Sequence, residues 1–535
     1  MNYKRLSKFG MKSLVLLAAL PLFAVDAQKG KEVIESKCIA CHTGDLKEGL
    51  SRISDQRKTP EGWYMTVKRM QREHGLSITK AEETDVIKYL ADYQGLTPDE
   101  IKPYSYVLDK KPNVQEEGKD ELLTQMCVRC HSEARIGLQR RTANEWNSLV
   151  NYHVAQFPSF EVQAQARDRD WFGVAQNEVV PYLEENFGKD KEKFEKYKKS
   201  LKNYELPKKW IISGHTPIIG DFTANLTLMK SADESYGMLI DYKYANGKEY
   251  KTTGVAIVYG KTELRASFEV NGVKYRQILH IDPKTNTLEG RMFEVLHPEN
   301  GSTLVGKEKD SKETTLVAVY PKAVKAGEKS TISIVGTNLV GDVKLPSSLK
   351  VLKTIKHTNN EIVLDVVAHK NVKTFDRNIS IGTKTFKNSL VVYDKVDYIK
   401  VTPDYAISRI GGEEGKDKIL KEYATFEAIG YLNGKDGKKE TADDIELGVL
   451  PATWSLEAYD EQAQEDKDLE YVGQIDANTG KFTPSVAGPN EQRKLMTNNA
   501  GNISVVATYK DGKKELSEKS HMIVTVPKFV NPPIN

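Results

Sequence analysis

Four cysteines and two adjacent histidines are the residues whose types and spacing could do chemistry in this sequence. Cys38-Ile39-Ala40-Cys41-His42 and Cys127-Val128-Arg129-Cys130-His131 share the pattern Cys-x-x-Cys-His. Two thiols three positions apart can reach the two vinyl groups of one porphyrin, and the adjacent imidazole can bind its iron. The motifs therefore predict two covalently bound haems c, attached through Cys38, Cys41, Cys127 and Cys130, with His42 and His131 as proximal iron ligands.

Paired cysteines have two other uses, and both stay open at this point. Each pair could form a redox disulfide, or both pairs together could hold zinc. The histidine that follows each pair directly favours haem instead. The two motifs use all four cysteines of the chain, so none is left for a structural disulfide.

An internal repeat surrounds the two motifs. Gln56-Arg57-Lys58-Thr59 parallels Gln139-Arg140-Arg141-Thr142, and Trp63 parallels Trp146. Thr59 before Pro60 is typical of a helix start, and Thr142 with Glu145 predicts a capping box. Further on, Val86, Ile87, Tyr89 and Leu90 parallel Val179, Val180, Tyr182 and Leu183. The sequence predicts a doubled unit in which a helix, a haem motif and two further helices follow one another.

The repeat also nominates the sixth iron ligands. Met70 lies seven residues after Trp63, and His153 lies seven residues after Trp146. Seven residues are two helical turns, so each candidate lies on the same helix face as its tryptophan. We expect Met70 on the iron of the first haem and His153 on the iron of the second. Met65 and His74 remain alternatives to Met70.

Three arginines of the repeated segment have two interpretations. Arg57, Arg140 and Arg141 could pair with haem propionates, because a guanidinium binds a carboxylate in a bidentate manner. They could equally be solvated loop residues.

The N-terminal segment 1–27 resembles a secretory signal peptide. Basic residues precede the apolar run Leu14 to Val25, and Val25-Asp26-Ala27 fits a cleavage site that leaves Gln28 first. The run is short for a membrane anchor, which is the alternative, and no later stretch is apolar enough to span a bilayer. We therefore expect an exported, periplasmic protein.

The charge of the chain argues against nucleic acid as a partner. The full sequence has a formal charge of +3. The segment 1–27 carries four basic side chains and one aspartate, so the mature chain is near neutral and has no basic block.

The sequence changes its periodicity near Pro207. A helical dihaem domain is predicted over 28–206, with repeats over about 28–103 and 104–206. Alternating strands and glycine turns follow, such as Asn246-Gly247 and Asn271-Gly272. They predict an antiparallel barrel or sandwich over 207–312 and two immunoglobulin-like β-sandwiches over 313–393 and 394–535. Trp454 fits a sandwich core.

The β region shows no catalytic constellation, and we expect no catalytic residue in this chain. Its histidines lack the spacing of metal ligands and are interpreted as structural or surface residues. They are His215, His280, His297, His357, His369 and His521.

This combination resembles the alpha subunit of quinohaemoprotein amine dehydrogenase over essentially the whole mature chain. The most specific residues are the paired haem motifs with Gln56-Arg57-Lys58-Thr59-Pro60-Glu61-Gly62-Trp63 and Gln139-Arg140-Arg141-Thr142. The resemblance implies a periplasmic heterotrimer with a β-propeller subunit and a small subunit that carries cysteine tryptophylquinone and oxidises primary amines. This chain would then pass electrons from the quinone through its haems to a soluble copper protein or cytochrome c.

Two other functions remain open. A dihaem peroxidase would need an iron with an open sixth position, which two occupied irons oppose. A stand-alone dihaem electron carrier would use its immunoglobulin-like modules for display. Because both motifs consume their cysteines, this chain cannot itself host a cysteine-linked quinone, so the amine chemistry would lie on a partner.

Overall fold

The computed structural model describes residues 25–118, 120–231, 235–372 and 374–534. The basic residues and most of the apolar run of the predicted signal peptide lie outside this part. Within it, Val25 is buried, and the carboxylate of Asp26 caps the first helix by accepting from the backbone N–H groups of Gln28 and Lys29.

The N-terminal region is helical. Its helices are α1 (Ala27–Lys37), α2 (Pro60–Glu73), α3 (Lys80–Tyr93), α4 (Pro98–Ile101), α5 (Ser105–Leu108), α6 (Glu121–Leu123), α7 (Ala134–Gly137), α8 (Ala143–Gln156), α9 (Trp171–Val174), α10 (Val180–Phe187) and α11 (Lys191–Ser200). Short strands accompany them: β1 (Gly44–Asp45), β2 (Gly49–Leu50), β3 (Gln56–Lys58) and β4 (Gln139–Arg141).

The two predicted helix starts have different outcomes. Thr59 caps α2 by accepting from the N–H of Gly62, with Pro60 in the first turn, as predicted. Thr142 occupies the same place before α8, but its side chain makes no capping hydrogen bond, so the predicted capping box is wrong. Glu145, the other residue of the predicted box, binds Arg52 and Arg141 instead.

The repeated segments pair with each other. β3 and β4 form an antiparallel ribbon in which Gln56 faces Arg141, Arg57 faces Arg140 and Lys58 faces Gln139. The ribbon therefore joins the two repeats at equivalent positions. Successive side chains of a strand point to opposite faces, so Arg57 and Arg140 lie on one face and their neighbours on the other.

The second region is a closed antiparallel barrel. Its eight strands are β5 (Lys209–Thr216), β6 (Gly220–Lys230), β7 (Ser235–Tyr244), β8 (Glu249–Tyr259), β9 (Glu263–Val270), β10 (Val273–Asp282), β11 (Thr287–Glu294) and β12 (Gly301–Glu308). Asn271 and Gly272 join β9 to β10 with positive φ angles at both residues, as the predicted two-residue turn requires. Large apolar side chains such as Trp210 and Phe222 fill the interior.

Two further β regions follow. The first contains β13 (Thr315–Tyr320), β14 (Ala323–Lys325), β15 (Lys329–Thr337), β16 (Val343–Lys344), β17 (Leu349–His357), β18 (Glu361–Ala368), β19 (Ile379–Ile381), β20 (Lys384–Phe386) and β21 (Val391–Tyr393). Its largest sheet has the order β13-β15-β18-β17. The alternating burial along β18 points one face into a separate apolar core.

The last region contains β22 (Tyr398–Thr402), β23 (Tyr405–Arg409), β24 (Ala424–Thr425), β25 (Glu427–Leu432), β26 (Ile445–Leu450), β27 (Thr453–Ala458), α12 (Glu461–Glu465), α13 (Asp468–Tyr471), β28 (Gly473–Ile475), β29 (Lys481–Pro484), β30 (Gly501–Asp511) and β31 (Lys514–Thr525). Two of its sheets have the orders β22-β25-β26 and β23-β31-β30-β27. Trp454 is buried in the core that they share, as predicted.

Polar contacts hold the regions together. Arg265 of the barrel binds Glu61 of α2, and its Nε lies 2.6 Å from the carboxylate. His280 bridges Glu263 of the barrel and Asp109 of the helical region, while His215 bridges Asp221 and Glu427 of the last region. These two histidines are structural, as expected. In the described ranges, no helix has the length and apolar character needed to cross a membrane.

Candidate functional site: two haem motifs and a cavity

The first motif follows α1 directly. Cys38 begins a 3₁₀ turn, Cys38–Ala40, and is half-buried against the apolar cluster that contains Ile34 and Trp63. Burial, and next the neighbouring Cys41, raises the pKa of the Cys38 thiol. Nδ1 of His42 lies 2.8 Å from the carbonyl oxygen of Ser51. The motif is thus held between α1 and the loop that leads to the ribbon.

The second motif begins in the last two residues of a π-helical turn, Thr124–Val128, which follows α6. Cys127 is half-buried, and burial together with Cys130 raises the pKa of its thiol to about 12. His131 places Nδ1 2.9 Å from the carbonyl oxygen of Ser132, and burial lowers the pKa of the ring. Burial thus favours the neutral imidazole, which is the form that binds a metal, and the Ser132 carbonyl orients the ring.

His153 lies on α8, where the repeat places it. Its Nδ1 is 2.7 Å from the carbonyl oxygen of Leu149, one turn earlier, and burial lowers the pKa of the ring. A carbonyl oxygen can only accept, so in His42, His131 and His153 alike Nδ1 carries the hydrogen. The Nε2 lone pair of each ring is then available for iron.

The second motif faces a cavity of about 550 Å³. Both of its cysteines, His131 and His153 line this cavity, and Trp146, Trp171 and Leu183 contribute apolar wall. After burial and Arg135, the nearby His153 also lowers the pKa of His131. An apolar space with two thiols and two imidazoles whose Nε2 atoms are available fits a porphyrin attached at one side and ligated from both.

The alternatives for the sixth ligand of the first iron lie at different places. Met70 is half-buried in the last turn of α2, two turns beyond the buried Trp63. Met65 instead lines the cavity beside the second motif. His74 is exposed at the end of α2, and within the described part of the chain its ring has no hydrogen bond to orient it. These placements leave Met70 as our proposal for the first iron.

The interpretation of the three arginines as solvated loop residues is wrong. Arg57 is 2% exposed and binds both carboxylate oxygens of Glu100 at 2.8 Å. Arg140, its partner across the ribbon, reaches the same carboxylate at 3.2 Å. Arg141 is buried beside Glu145 and lines the cavity. Two of these arginines therefore hold the repeats together through Glu100, and the third faces the cavity.

The two cysteine pairs lie in different parts of the helical region. The four cysteines are free, and Cys38 and Cys127 pack into different apolar clusters, which disfavours one zinc site built from both pairs. Among the described residues, no group of three or more histidine, cysteine, aspartate or glutamate side chains is placed to hold a metal ion.

Sequence reasoning missed Glu100 and Lys58. Glu100 belongs to a capping box with Thr97, which is a readable pattern, but its burial between two arginines depends on the ribbon. Lys58 lines the cavity and is 5% exposed. Its position in the repeat, equivalent to Arg141, is the signal that could have drawn attention to it.

Together, a helical region with two Cys-x-x-Cys-His motifs, a barrel and two more β regions define a multidomain haem-binding protein. Four family models match successive parts of the chain. They are "Quinohemoprotein amine dehydrogenase A, alpha subunit, haem binding" over residues 28–194 and domains II, III and IV of that alpha subunit over 203–309, 313–394 and 399–534. The chain belongs to the family of quinohaemoprotein amine dehydrogenase alpha subunits. A comparison with curated proteins gave no match.

Solved structures resemble single parts of the chain. A redesigned β-barrel bound to DFHBI is 15% identical, covers 19% of this chain and 91% of its own, and has a TM-score of 0.17. A SusE-like polysaccharide binding protein from Bacteroides thetaiotaomicron is 11% identical, covers 61% of this chain and 50% of its own, and has a TM-score of 0.13. Scores this low carry no argument about function.

Proposed function

We propose that this chain is the electron-transfer subunit of a periplasmic amine dehydrogenase complex. It would receive electrons from a quinone on a partner subunit during the oxidative deamination of primary amines. Two haems c would pass them to a soluble copper protein or cytochrome c. The observation that carries the proposal is the cavity in which Cys127, Cys130, His131 and His153 converge, within the part matched by the haem-binding family model.

The residues have separate roles in this proposal. Cys38, Cys41, Cys127 and Cys130 would form the thioether bonds, and His42 and His131 would be iron ligands. The carbonyl groups that accept from their Nδ1 atoms fix the ring orientations. Met70 would be the sixth ligand of the first iron, and His153 that of the second. Haem supplies one-electron transfer, and the chain tunes it through the axial ligand and burial.

The remaining parts of the proposal come from the family. The partners are a small subunit with cysteine tryptophylquinone and a β-propeller subunit, and the amine chemistry takes place on the small subunit. The domains are 28–206, 207–312, 313–393 and 394–535, the last two immunoglobulin-like, after removal of a signal peptide near Ala27. Processing there would also remove the Asp26 cap of α1.

The test begins with the mass of the mature protein made in a host that attaches haem c. We expect two covalent haems in the wild type, one in Cys38→Ala/Cys41→Ala and one in Cys127→Ala/Cys130→Ala. Extraction with acidified acetone should leave the colour on the protein. A wild-type mass equal to that of the bare polypeptide would contradict the proposal.

A second experiment addresses the complex. The chain is purified from its native source, and every co-purifying small chain is analysed by mass spectrometry. We expect a small chain with a crosslinked quinone, and addition of a primary amine should reduce the haems of the complex. If the chain purifies alone and a primary amine does not reduce its haems, the stand-alone carrier would be favoured.

A further inference from the structure

The cavity of the second motif has an unbalanced charge. Four cationic side chains line it, and among the described residues no aspartate or glutamate does. Two of the cations, Arg135 and Arg141, belong to the second repeat. The other two, Lys58 and Arg69, belong to the first.

Lys58 is the most unusual of the four. It is 5% exposed, and its Nζ donates to the hydroxyl of Thr66 at 2.7 Å. Within the described ranges, no carboxylate lies at ion-pair distance from it. Burial, and then the neighbouring Arg141 and Arg69, lowers its pKa well below the ordinary value. A buried ammonium group is stable as a cation only with a compensating anion.

The repeat shows how this arrangement arises. Lys58 and Arg141 are equivalent, and the residues four positions later are Gly62 and Glu145. Arg141 binds Glu145 at 3.2 Å, but Lys58 meets a glycine, whose missing side chain leaves space for the lysine stem. Glu145 raises the pKa of Lys58, but this carboxylate is already bonded to Arg52 and Arg141. Both repeats therefore have a cationic residue at this position, but only the second repeat has a carboxylate to pair with it.

Arg69 lies on the same side of the cavity. Met65 and Thr66 lie three and four positions after Gly62 and four and three positions before Arg69, so all four share one face of α2, and all line the cavity. The Arg69 guanidinium lies 5.1 Å from the ring centre of Tyr152 on α8. In the described part of the chain it pairs with no carboxylate. Lys58 of β3 and Arg69 of α2 thus both face the cavity beside the second motif.

We propose that Lys58 and Arg69 of the first repeat bind the propionates of the haem attached to the second motif. This inference rests on the proposed function, since it needs that haem. A haem brings two carboxylates into a space that otherwise holds cations, and charge-assisted bonds to them would satisfy the buried Lys58 ammonium. The second haem would then be attached by one repeat and neutralised by the other, which ties the repeats together.

The test measures the midpoint potential of the second haem against pH in the full mature chain. A nearby cation disfavours ferric iron, so Lys58→Met should lower the potential. We expect a roughly tenfold change in the ferric-to-ferrous ratio, the equivalent of one pK unit between neighbouring charges. The unpaired propionate should also titrate nearer neutral pH, so the potential becomes more dependent on pH.

Matched variants make the result specific. Lys58→Arg retains the charge and should keep the wild-type potential. Lys196→Met removes an exposed lysine of α11 outside the cavity and should change nothing. Arg69→Leu should shift the potential in the same direction as Lys58→Met, and it carries the test alone if Lys58→Met does not mature.

The outcomes separate the inference from the proposed function. If the wild type carries both haems but Lys58→Met and Arg69→Leu leave the potential and its pH dependence unchanged, the inference is overturned and the function stands. If the wild type carries no haem at the second motif, the proposed function itself fails.

Discussion

Trp63 and Trp146 illustrate how closely the two haem repeats agree. The indole N–H of Trp63 donates to the carbonyl of Gln94, and that of Trp146 to the carbonyl of Phe187, which occupies the equivalent position. In each repeat a glycine follows that acceptor, at Gly95 and Gly188, where the preceding helix leaves no space for a Cβ atom. The frame that positions the haem motifs is therefore the same in both.

The repeats differ in their charges and in their surroundings. Gly62 replaces Glu145, Arg69 replaces Tyr152 and Met70 replaces His153 at equivalent positions. The first repeat also contacts the barrel through Glu61 and Arg265. The comparison teaches that a duplicated frame can hold two cofactors in different electrostatic settings, because a few positions on two helices decide the charge around each one.

The largest expected effect concerns the axial ligands. His153→Ala should turn the second haem high-spin and leave a sulfur-to-iron charge-transfer band of the first haem in place, because we propose different sixth ligands for the two irons. Met70→Ala should do the opposite and abolish that band. Optical spectra of the oxidised variants measure both effects.

His74→Ala is the matched control for this pair, since His74 is exposed near Met70. It should leave the spectrum unchanged. A charge-transfer band that survives Met70→Ala would falsify the assignment of Met70. A second haem that stays low-spin in His153→Ala would exclude His153 as its sixth ligand.

The ribbon between the repeats should be the most sensitive point for stability. Arg57→Met leaves the buried carboxylate of Glu100 with Arg140 as its remaining arginine, and we expect a loss of about 3–5 kcal/mol in the free energy of unfolding. Urea unfolding followed at the haem absorption measures it. The double variant Arg57→Met/Glu100→Met should lose less than the single one, and a single loss below about 1 kcal/mol would contradict a buried pair.

The equivalence of the two tryptophans predicts equal effects. Trp63→Phe and Trp146→Phe each remove an indole hydrogen bond to a backbone carbonyl and some buried volume. Each should cost about 1–3 kcal/mol, and the two costs should agree closely. Chemical unfolding checks this, with Trp171→Phe as a comparison outside the repeated pair. Clearly unequal losses in the free energy of unfolding would show that the two tryptophans do not contribute equally to stability.

The effect expected to be smallest at any one step of pH is a dependence on pH at the barrel. Burial disfavours a charged His280, but Glu263 and Asp109 outweigh it and raise the pKa of the ring to about 10. A raised pKa in the folded state means that this stabilisation is full below pH 6.5 and is lost as the pH rises towards 10. The slope should not exceed about 1.4 kcal/mol per pH unit, the limit for one proton.

Melting temperatures between neutral and alkaline pH measure this effect. His280→Gln should flatten the dependence, while His357→Gln, which removes a histidine that contacts the backbone of Leu339, should not. Identical pH profiles for wild type and His280→Gln would exclude His280 as the group that titrates.

Local patterns made much of the fold and part of the site predictable. The Cys-x-x-Cys-His motifs, the start of α2 at Thr59 and Pro60 and the turn at Asn271 and Gly272 each depend on a few neighbouring residues. The repeat added information over a longer range, because it aligned His153 with Met70. Arg57 and Arg140 could not be interpreted correctly, since their burial depends on a strand pair 83 positions apart in sequence, Arg57 facing Arg140.

By itself, the sequence determined which atoms could hold haem and iron and how often the unit occurs, because bond-forming groups and their spacing along a helix are local properties. The tertiary structure alone decided which charges meet. It placed Arg57 and Arg140 on one carboxylate, and it turned Lys58 and Arg69 of the first repeat towards the cavity of the second. Burial and the distance between charges set electrostatic energies, and neither is known until the chain has folded.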